Sequence, residues 1–386
     1  MNILRICYEY PPPWDGLTPG PFEISLAQIK KGHKIIFLAG GSSNDPYAKK
    51  DGIEVKRIGK SLPTYLFGLF FYFDIKLIYY VWKILKTKRI DVIHFHGNTA
   101  FWFNVLRLLG FYKKIPYISH AHKSGLKNFK TFWKKSNYLN KTKALFIWPL
   151  MVVQDFLTVK TANAIIAVSQ SEKDIFINDY KCPSERVFVI ENGVNVKRFA
   201  FRTKNGSDIL NIIFVGILGE RKNVEKIFSV IKALAEKGTS PILTLVGRGD
   251  KNYISKLKSI SEEFDIDKRI IWKGYIPYPE LPKVYVENDI LLLLSHAEGL
   301  PKVILEAISC GLKVASSRSF YVGGFLNEIV EWVDVEDDEE KIADQIIKAL
   351  NKEINIERFR QEYSWSKKTE EINKIYKRLI EEMRIK

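Results

Sequence analysis

The chain has 386 residues, three cysteines and a formal charge of +16; that length excludes one ordinary core and predicts two domains of about 150–200 residues. The composition is that of a soluble globular protein, and Cys7, Cys182 and Cys310 are too scattered for a disulfide framework, which points to a reducing compartment. The charge sits in one half: residues 1–200 hold 30 Lys/Arg against 14 Asp/Glu, whereas residues 201–386 hold 30 of each.

Short apolar strands alternate with helical stretches along the whole chain, the pattern of a parallel α/β architecture. The first predicted strand, Asn2–Tyr8, begins too close to the N-terminus and is too polar for a signal peptide. Tyr10-Pro11-Pro12-Pro13-Trp14-Asp15-Gly16 follows; three prolines stiffen it and Gly16 permits close backbone approach. Strands are predicted at Lys34–Ala39 and Glu54–Ile58. The segment Leu62–Val81 is the most apolar of the chain, but Asp74 and Lys76 interrupt it. It falls short of the ~20 apolar residues of a membrane span and reads as a core or surface helix. Its aromatics and the Lys83, Lys86, Lys88, Arg89 cluster after it also suit a membrane interface.

Strands at Val92–His96 and Tyr117–His120 carry His94, His96, His120 and then His122. Residues at i and i+2 share a strand face, so His120 and His122 point the same way. No carboxylate or cysteine accompanies these histidines at ligand spacing, so no metal site is expected. Between Asp91 and Asp155 there is no acid, but ten basic residues run from Arg107 to Lys143, interleaved with Phe129, Phe132, Trp133, Tyr138, Phe146 and Trp148. Such a field attracts anionic lipid, phosphate or nucleic acid, and a merely solvated basic face stays an equal reading. No nucleic-acid motif accompanies it, so no nucleic-acid partner is expected. Strands at Ala164–Val168 and Val187–Ile190 close the first half, and the polar stretch Val196–Asp208 reads as the linker.

The second half has predicted strands at Asn211–Val215, Ile242–Val246, Arg269–Lys273, Asp289–Leu294 and Lys313–Ala315. After the first come Gly216-Ile217-Leu218-Gly219-Glu220-Arg221-Lys222, a glycine turn with cations at a predicted helix start. That is a pyrophosphate arrangement, and cations opposing the macrodipole favour a ligand there. Val246-Gly247-Arg248-Gly249-Asp250 ends the next strand as a turn. Asp289–Leu294 is a continuous apolar run, as in a strand covered on both faces; Gly299 gives the turn and Pro301 suits the first helical position. The helix then runs through Val303–Ile308 to Cys310-Gly311. Its N-terminus aims free N–H groups at an anion, with Glu298 in the turn and Glu306 one to two turns further. One carboxylate can reach a ligand's reactive end while the other takes its hydroxyls, which suggests a nucleotide-sugar site.

With these residues in place the chain resembles glycosyltransferase family 4, whose members have the GT-B fold and retain anomeric configuration. Glu298-Gly299-Leu300-Pro301-Lys302-Val303-Ile304-Leu305-Glu306-Ala307 with Cys310-Gly311 resembles its donor-site signature. The resemblance implies an α/β fold of two doubly wound Rossmann-like domains facing across a cleft. Residues 1–200 would be the acceptor domain and 201–364 the nucleotide-sugar domain, with the helix 365–386, begun by Tyr363-Ser364-Trp365, returning to the first. It implies that Glu306 binds the donor ribose, that Glu298 lies beside the transferred sugar, and that Gly299, Leu300, Pro301 and Lys302 touch sugar and phosphates. Gly216, Arg221 and Lys222 would hold the diphosphate, and Gly247 and Arg248 would lie near the nucleotide. Gly16 matches a glycine-rich loop near the phosphates and acceptor. His122, with His120 beside it, matches a strand-end histidine at the transferred sugar, whereas the histidines of Asp91–Gly97 match mostly structural positions. Two departures stand out: Ile217 where many members have an arginine, and Asp15-Gly16 where a glycine pair is usual.

The resulting expectation is a metal-independent, retaining hexosyltransferase without a cofactor, with Glu298 and His122 catalytic. It would take a UDP- or GDP-linked sugar and act on a glycan or polyprenyl-diphosphate-linked acceptor in surface polysaccharide or glycoconjugate biosynthesis. The protein would be cytoplasmic, with the basic first domain at an anionic membrane face. A soluble transferase to a small sugar or sugar phosphate, and a non-catalytic sugar-nucleotide-binding homologue, stay open as alternatives.

Overall fold

The computed structural model describes residues 1–8, 20–40, 52–58, 69–97 (backbone only for 69–75), 100–122, 124–126, 151–202, 209–296, 298, 300–318 and 324–385. The chain divides into two compact units, Met1–Asn192 with Trp365–Lys386, and Gly193–Ser364.

The first unit contains β1 (Asn2–Cys7), α1 (Gly20–Lys30), β2 (Lys34–Ala39), β3 (Glu54–Arg57), α2 (Leu69–Thr87), β4 (Val92–His96), α3 (Phe101–Leu108), β5 (Tyr117–Ala121), β6 (Ala164–Ala167), α4 (Gln170–Asn178) and β7 (Val187–Val189). Another helix covers 151–161. The seven strands form one parallel sheet in the order β3-β2-β1-β4-β5-β6-β7, so the winding reverses between β1 and β4. Alternation along each strand gives the sheet two apolar faces. One face packs Ile3, Cys7, Val92 and Ile118 against Phe22 and Ile24 of α1 and Ile372, Ile375, Tyr376 and Leu379 of the C-terminal helix (Trp365–Ile385). The spacing of those four residues is that of a single apolar helix stripe. The other face packs Leu4, Ile6, Ile93 and Phe95 against α2, α3 and the 151–161 helix through Leu77, Val81, Phe103 and Val159.

The second unit contains β8 (Ile209–Val215), α5 (Val224–Glu236), β9 (Ser240–Val246), α6 (Lys251–Glu263), β10 (Ile270–Gly274), α7 (Leu281–Tyr285), β11 (Ile290–Leu293), α8 (Lys302–Cys310), β12 (Lys313–Ser317), α9 (Gly324–Ile329), β13 (Glu331–Val333), α10 (Glu339–Leu350) and α11 (Ile356–Tyr363). Its sheet is parallel in the order β10-β9-β8-β11-β12-β13, with the reversal between β8 and β11. Ile290, Leu291, Leu292 and Leu293 are fully buried, as a central strand with neighbours on both sides requires.

Three differences from the sequence reading have physical causes. The edge strand β13 was not expected, because its first residue is Glu331, buried and paired with Lys352 at 2.8 Å, which breaks the apolar pattern. The division between units precedes the polar 196–208 stretch, since Phe199 is buried with its ring against Tyr278 and Tyr285, and Val194 bridges to Ser364, all in the second unit. Arg107 is no part of a solvated basic field: it is buried and donates to the carbonyls of Thr161, Tyr112 and Ile115 and to Asn163. Residues 62–68 and the basic, aromatic run from 127 to 150 lie outside the described residues. Among the described residues no helix is long and apolar enough to cross a membrane.

Candidate active site

Ligands of doubly wound sheets sit outside the carboxyl ends of the strands where the winding reverses. In the second unit that point lies between β8 and β11, so the loops leaving Val215 and Leu293 are neighbours. The first loop passes Gly216 to Gly219 and makes a 3₁₀ turn over Glu220–Lys222; Asn223, left-handed at φ 54°, then leads into α5. Arg221 and Lys222 therefore stand in the turn before the helix rather than at its start. Glu298, from the other loop, receives both cations: its Oε1 lies 2.6 Å from an Arg221 guanidinium nitrogen and 2.7 Å from Lys222 Nζ. His296 N–H donates to the Arg221 carbonyl at 3.0 Å and ties the loops together. The Lys222 side chain is only 11% exposed and that of Arg221 45%. Burial pushes the Lys222 ammonium below its ordinary value, and the Glu298 carboxylate opposes that shift. The positive charge that seemed to require a ligand thus has an internal counter-ion.

The neighbouring glycines hold this floor by backbone contact. Gly247 has φ +149°, and a Cβ there would fall 1.7 Å from the Gly216 carbonyl oxygen. Leu218 N–H donates to the Arg248 carbonyl at 2.8 Å, and the Arg248 guanidinium rests over the Tyr275 ring at 4.6 Å. A Cβ on Gly216 would press on Phe214 and on Lys222, 3.3 and 3.4 Å away. Ile217, where an arginine was the expectation from resemblance, is 67% exposed.

Beyond β11, Pro301 is the N-cap, with ψ 124°, and α8 starts at Lys302. The sequence reading had placed Pro301 one residue further in; its extended ψ puts it before the first turn. Pro301 has no side-chain donor or acceptor with which to cap this N-terminus, and the first-turn N–H groups of a helix suit an anion. Leu300 and Pro301 are buried and Lys302 is half-buried, while Gly299 lies outside the described residues. Glu306 is buried and accepts a hydrogen bond from the Tyr285 hydroxyl at 3.1 Å. Burial pushes its carboxyl up to about 7, against the pull of Lys302, Tyr285, Tyr278 and Arg198.

In the first unit the winding reverses between β1 and β4, and there the histidines gather. Cys7 is paired with His96 and His96 with His120 across three strands; Arg5 is paired with His94 two residues earlier, on the same face. Stacked rings run through the set, His94 on His96 with centroids 4.2 Å apart, His96 on His120 at 4.8 Å, and His120 on His122 at 4.7 Å and 3°. His94, His96 and His120 are buried and His122 half-buried. Both ring nitrogens of His96 and of His120 lack partners among the described residues. Burial holds all three well toward the neutral form, with the buried Arg5 adding to the effect; His120 is lowered to about 3. Arg5 donates to Pro21 O, Ser25 Oγ, Gln28 Oε1 and Tyr376 Oη, and Tyr376 also bonds His94 Nδ1. The C-terminal helix thereby fixes the base of the histidine stack.

His94, His96 and His120 each bring a nitrogen within 4.8 Å of the others, a proximity of metal-ligating types that sequence spacing did not reveal. Their rings lie within about 30° of parallel beside the buried Arg5 guanidinium. Gly16 lies outside the described residues. Of the expected site residues, Gly216, Arg221, Lys222, Gly247 and Glu298 come together in one cluster of the second unit, and His120 and His122 in the other. Sequence reasoning missed the shared contact of Glu298 with both cations, the Tyr285 partner of Glu306, and Arg5 with Tyr376 beneath the histidines. The first was detectable, because β8 and β11 are the strands a doubly wound order places side by side.

The family model Glycosyltransferase Family 4 matches residues 16–198, and the model Glycosyl transferases group 1 matches residues 197–365. Among curated proteins the chain is 23% identical over 372 residues to the phosphatidylinositol N-acetylglucosaminyltransferase GPI3 subunit of Saccharomyces cerevisiae, covering 92% of this chain and 75% of that one. It is 24% identical to the UDP-Gal:alpha-D-GlcNAc-diphosphoundecaprenol alpha-1,3-galactosyltransferase of Escherichia coli over 251 residues, 62% of this chain and 60% of that one. The sucrose-phosphate synthase structure from Thermosynechococcus elongatus superposes with a TM-score of 0.78 at 18% identity, covering 98% of each chain. With two parallel sheets of seven and six strands and both domain models matched in order, the chain carries a Glycosyltransferase Family 4 domain followed by a Glycosyl transferases group 1 domain and belongs to the glycosyltransferases of GT-B fold.

Proposed function

We propose that this glycosyltransferase moves a hexose-type sugar, with retention and without a metal, from a nucleoside diphosphate sugar to a glycan or polyprenyl-diphosphate-linked acceptor. The observation that carries the reading is the Lys222–Glu298–Arg221 contact at the winding reversal of the second sheet, where α8 follows β11 with Pro301 as its N-cap. A donor diphosphate would take the place of the Glu298 carboxylate at Lys222 and Arg221 and draw on the α8 N–H groups. Those donors would stabilise charge developing on the leaving diphosphate. Glu298, released from its cations, would then face the sugar, and Glu306 with Tyr285 would take the ribose hydroxyls. His122, at the open end of a neutral stack, suits a hydroxyl of the sugar or the acceptor.

The E. coli relative, by its name, uses a UDP-linked sugar and a polyprenyl-diphosphate acceptor, and the yeast relative is a subunit of a phosphatidylinositol N-acetylglucosaminyltransferase; both names favour a lipid-linked acceptor here. The acceptor would place the protein at an anionic membrane face. A non-catalytic sugar-nucleotide-binding role is the second reading, favoured by exposed Ile217 at the phosphate loop. The test is a thermal-shift screen with nucleoside diphosphates and their sugars in EDTA, followed by transfer assays and NMR of the product anomer. Stabilisation by one nucleotide family and an anomer of unchanged configuration support the reading; no stabilisation by any nucleotide overturns it.

A further inference from the structure

The helical layer of the first unit, formed by α2, α3 and the 151–161 helix, has an unusual outer surface. Tyr79 and Trp82 of α2, Leu108, Leu109 and Phe111 at the end of α3, and Val153 and Phe156 of the third helix are all exposed, Leu109 at 69% and Phe111 at 57%. α3 joins the third helix through Asn104–Thr158 and Thr161–Asn104 hydrogen bonds, and Leu109–Phe111 follow directly from its end. Charge on this surface has one sign. Lys83, Lys86, Lys113, Lys114 and Lys160 are exposed, and none forms an ion pair among the described residues. In residues 76–87, 101–116 and 151–161 the single acid is Asp155, which is buried and bonded to Gly125 N and Tyr180 Oη. Acids return at the margins, among them Glu54 on Lys88, exposed Asp174 on α4 with Asp179 just after it, and Glu185 and Glu382.

Two lysines are held against the aromatics: Lys86 Nζ lies 4.3 Å from the Trp82 ring centre and Lys160 Nζ 5.3 Å from that of Phe156. Lys113 and Lys160 also line a groove of about 540 Å³ with Arg107, Arg186 and Arg378, where Glu185 and Glu382 are the acids, so the patch borders a hollow with an excess of positive charge. Exposed aromatics and leucines among unpaired lysines, without an acid between them, match the interface of an anionic bilayer: apolar groups enter the acyl boundary and ammonium groups stay at the phosphates.

We infer that this face, centred on Leu108, Leu109 and Phe111 and flanked by Lys113, Lys114 and Lys160, docks the protein on an anionic phospholipid surface. Its purpose rests on the lipid-linked-acceptor reading, but its test requires no transfer. The experiment is flotation of the full chain with phosphatidylcholine vesicles with and without phosphatidylglycerol. Wild type floats with the anionic vesicles and is released by salt. Lys113→Gln and Lys114→Gln each lower partitioning by about fivefold, and the pair Leu109→Glu with Phe111→Glu abolishes flotation even at low salt. A far-UV circular dichroism spectrum and thermal midpoint equal to wild type verify the fold of each variant; the lysine variants serve if the apolar pair does not fold. Wild type staying in solution, variants floating like wild type, or a dimer that Leu109→Glu with Phe111→Glu converts to monomer would each overturn the inference. Failure to float with nucleotide stabilisation intact removes this surface alone, whereas flotation without nucleotide stabilisation removes the proposed function alone.

Discussion

At the winding reversal of the first sheet the buried polar side chains are imidazoles stacked on one another; at that of the second they are an ammonium and a carboxylate in contact. The two units share a strand topology and meet the same physical problem, since burial penalises charge. The first meets it by keeping His94, His96 and His120 neutral above a single bonded arginine. The second meets it by pairing Lys222 with Glu298, which leaves a cation that a phosphate can claim by displacing the carboxylate. A neutral, hydrogen-bonding surface suits hydroxyl groups and a paired-charge surface suits a diphosphate. On the proposed function, shared topology would support two binding chemistries, decided by a few side chains at equivalent strand ends.

The comparison breaks most sharply at the ion cluster. Lys222→Ala or Glu298→Ala is expected to lower kcat about 10²–10³-fold in a transfer assay, the loss typical of an electrostatic stabiliser; near-wild-type turnover would remove the cluster from catalysis. The next largest effect is on pH dependence, where the units should act in opposite directions. Unfolding below pH 6.5 charges histidines whose folded-state values are lowered. Their stabilisation is present above pH 6.5 and lost as pH falls, by about 1.4 kcal/mol per pH unit for each. Glu306 has the opposite sign. Its folded value of about 7 exceeds the ordinary 4.5, so its stabilisation is present below pH 4.5 and lost as pH rises to 7, on the order of 3 kcal/mol. Chemical denaturation of Glu306→Gln across pH 4.5–7 should flatten that limb, and His120→Gln should soften the acid limb.

Tyr376→Phe leaves buried Arg5 and His94 each short of a partner and should cost about 1–3 kcal/mol of stability. Hydrogen exchange should locate that loss in the first unit, with nucleotide affinity unchanged. The smallest effect sharpens rather than breaks the comparison: His122→Gln keeps a hydrogen-bonding group at the open end of the stack and should reduce kcat about tenfold while nucleotide binding stays intact.

The strand before Glu298 and the helix that carries Glu306 were legible because local patterns encode them: an unbroken apolar run, and an apolar helical stretch ended by Cys310-Gly311. The glycine turn of Gly216 was legible for the same reason. Long-range register was not. Cys7, His96 and His120 become neighbours only when β1, β4 and β5 pair in this order and register, and Tyr376 reaches Arg5 from the far end of the chain. Lys222 and Glu298, 76 positions apart, were each recognised, yet their contact follows from β8 lying beside β11. Arg107 was misread because sequence counts a cation without showing the carbonyls that fold around it.

Isothermal titration of the nucleotide sugar that best stabilises the protein, against wild type, Lys222→Ala and His122→Ala, tests the division of labour most directly. The account predicts at least tenfold weaker binding for Lys222→Ala and unchanged binding for His122→Ala. Equal affinity for wild type and Lys222→Ala, or loss confined to His122→Ala, would contradict it.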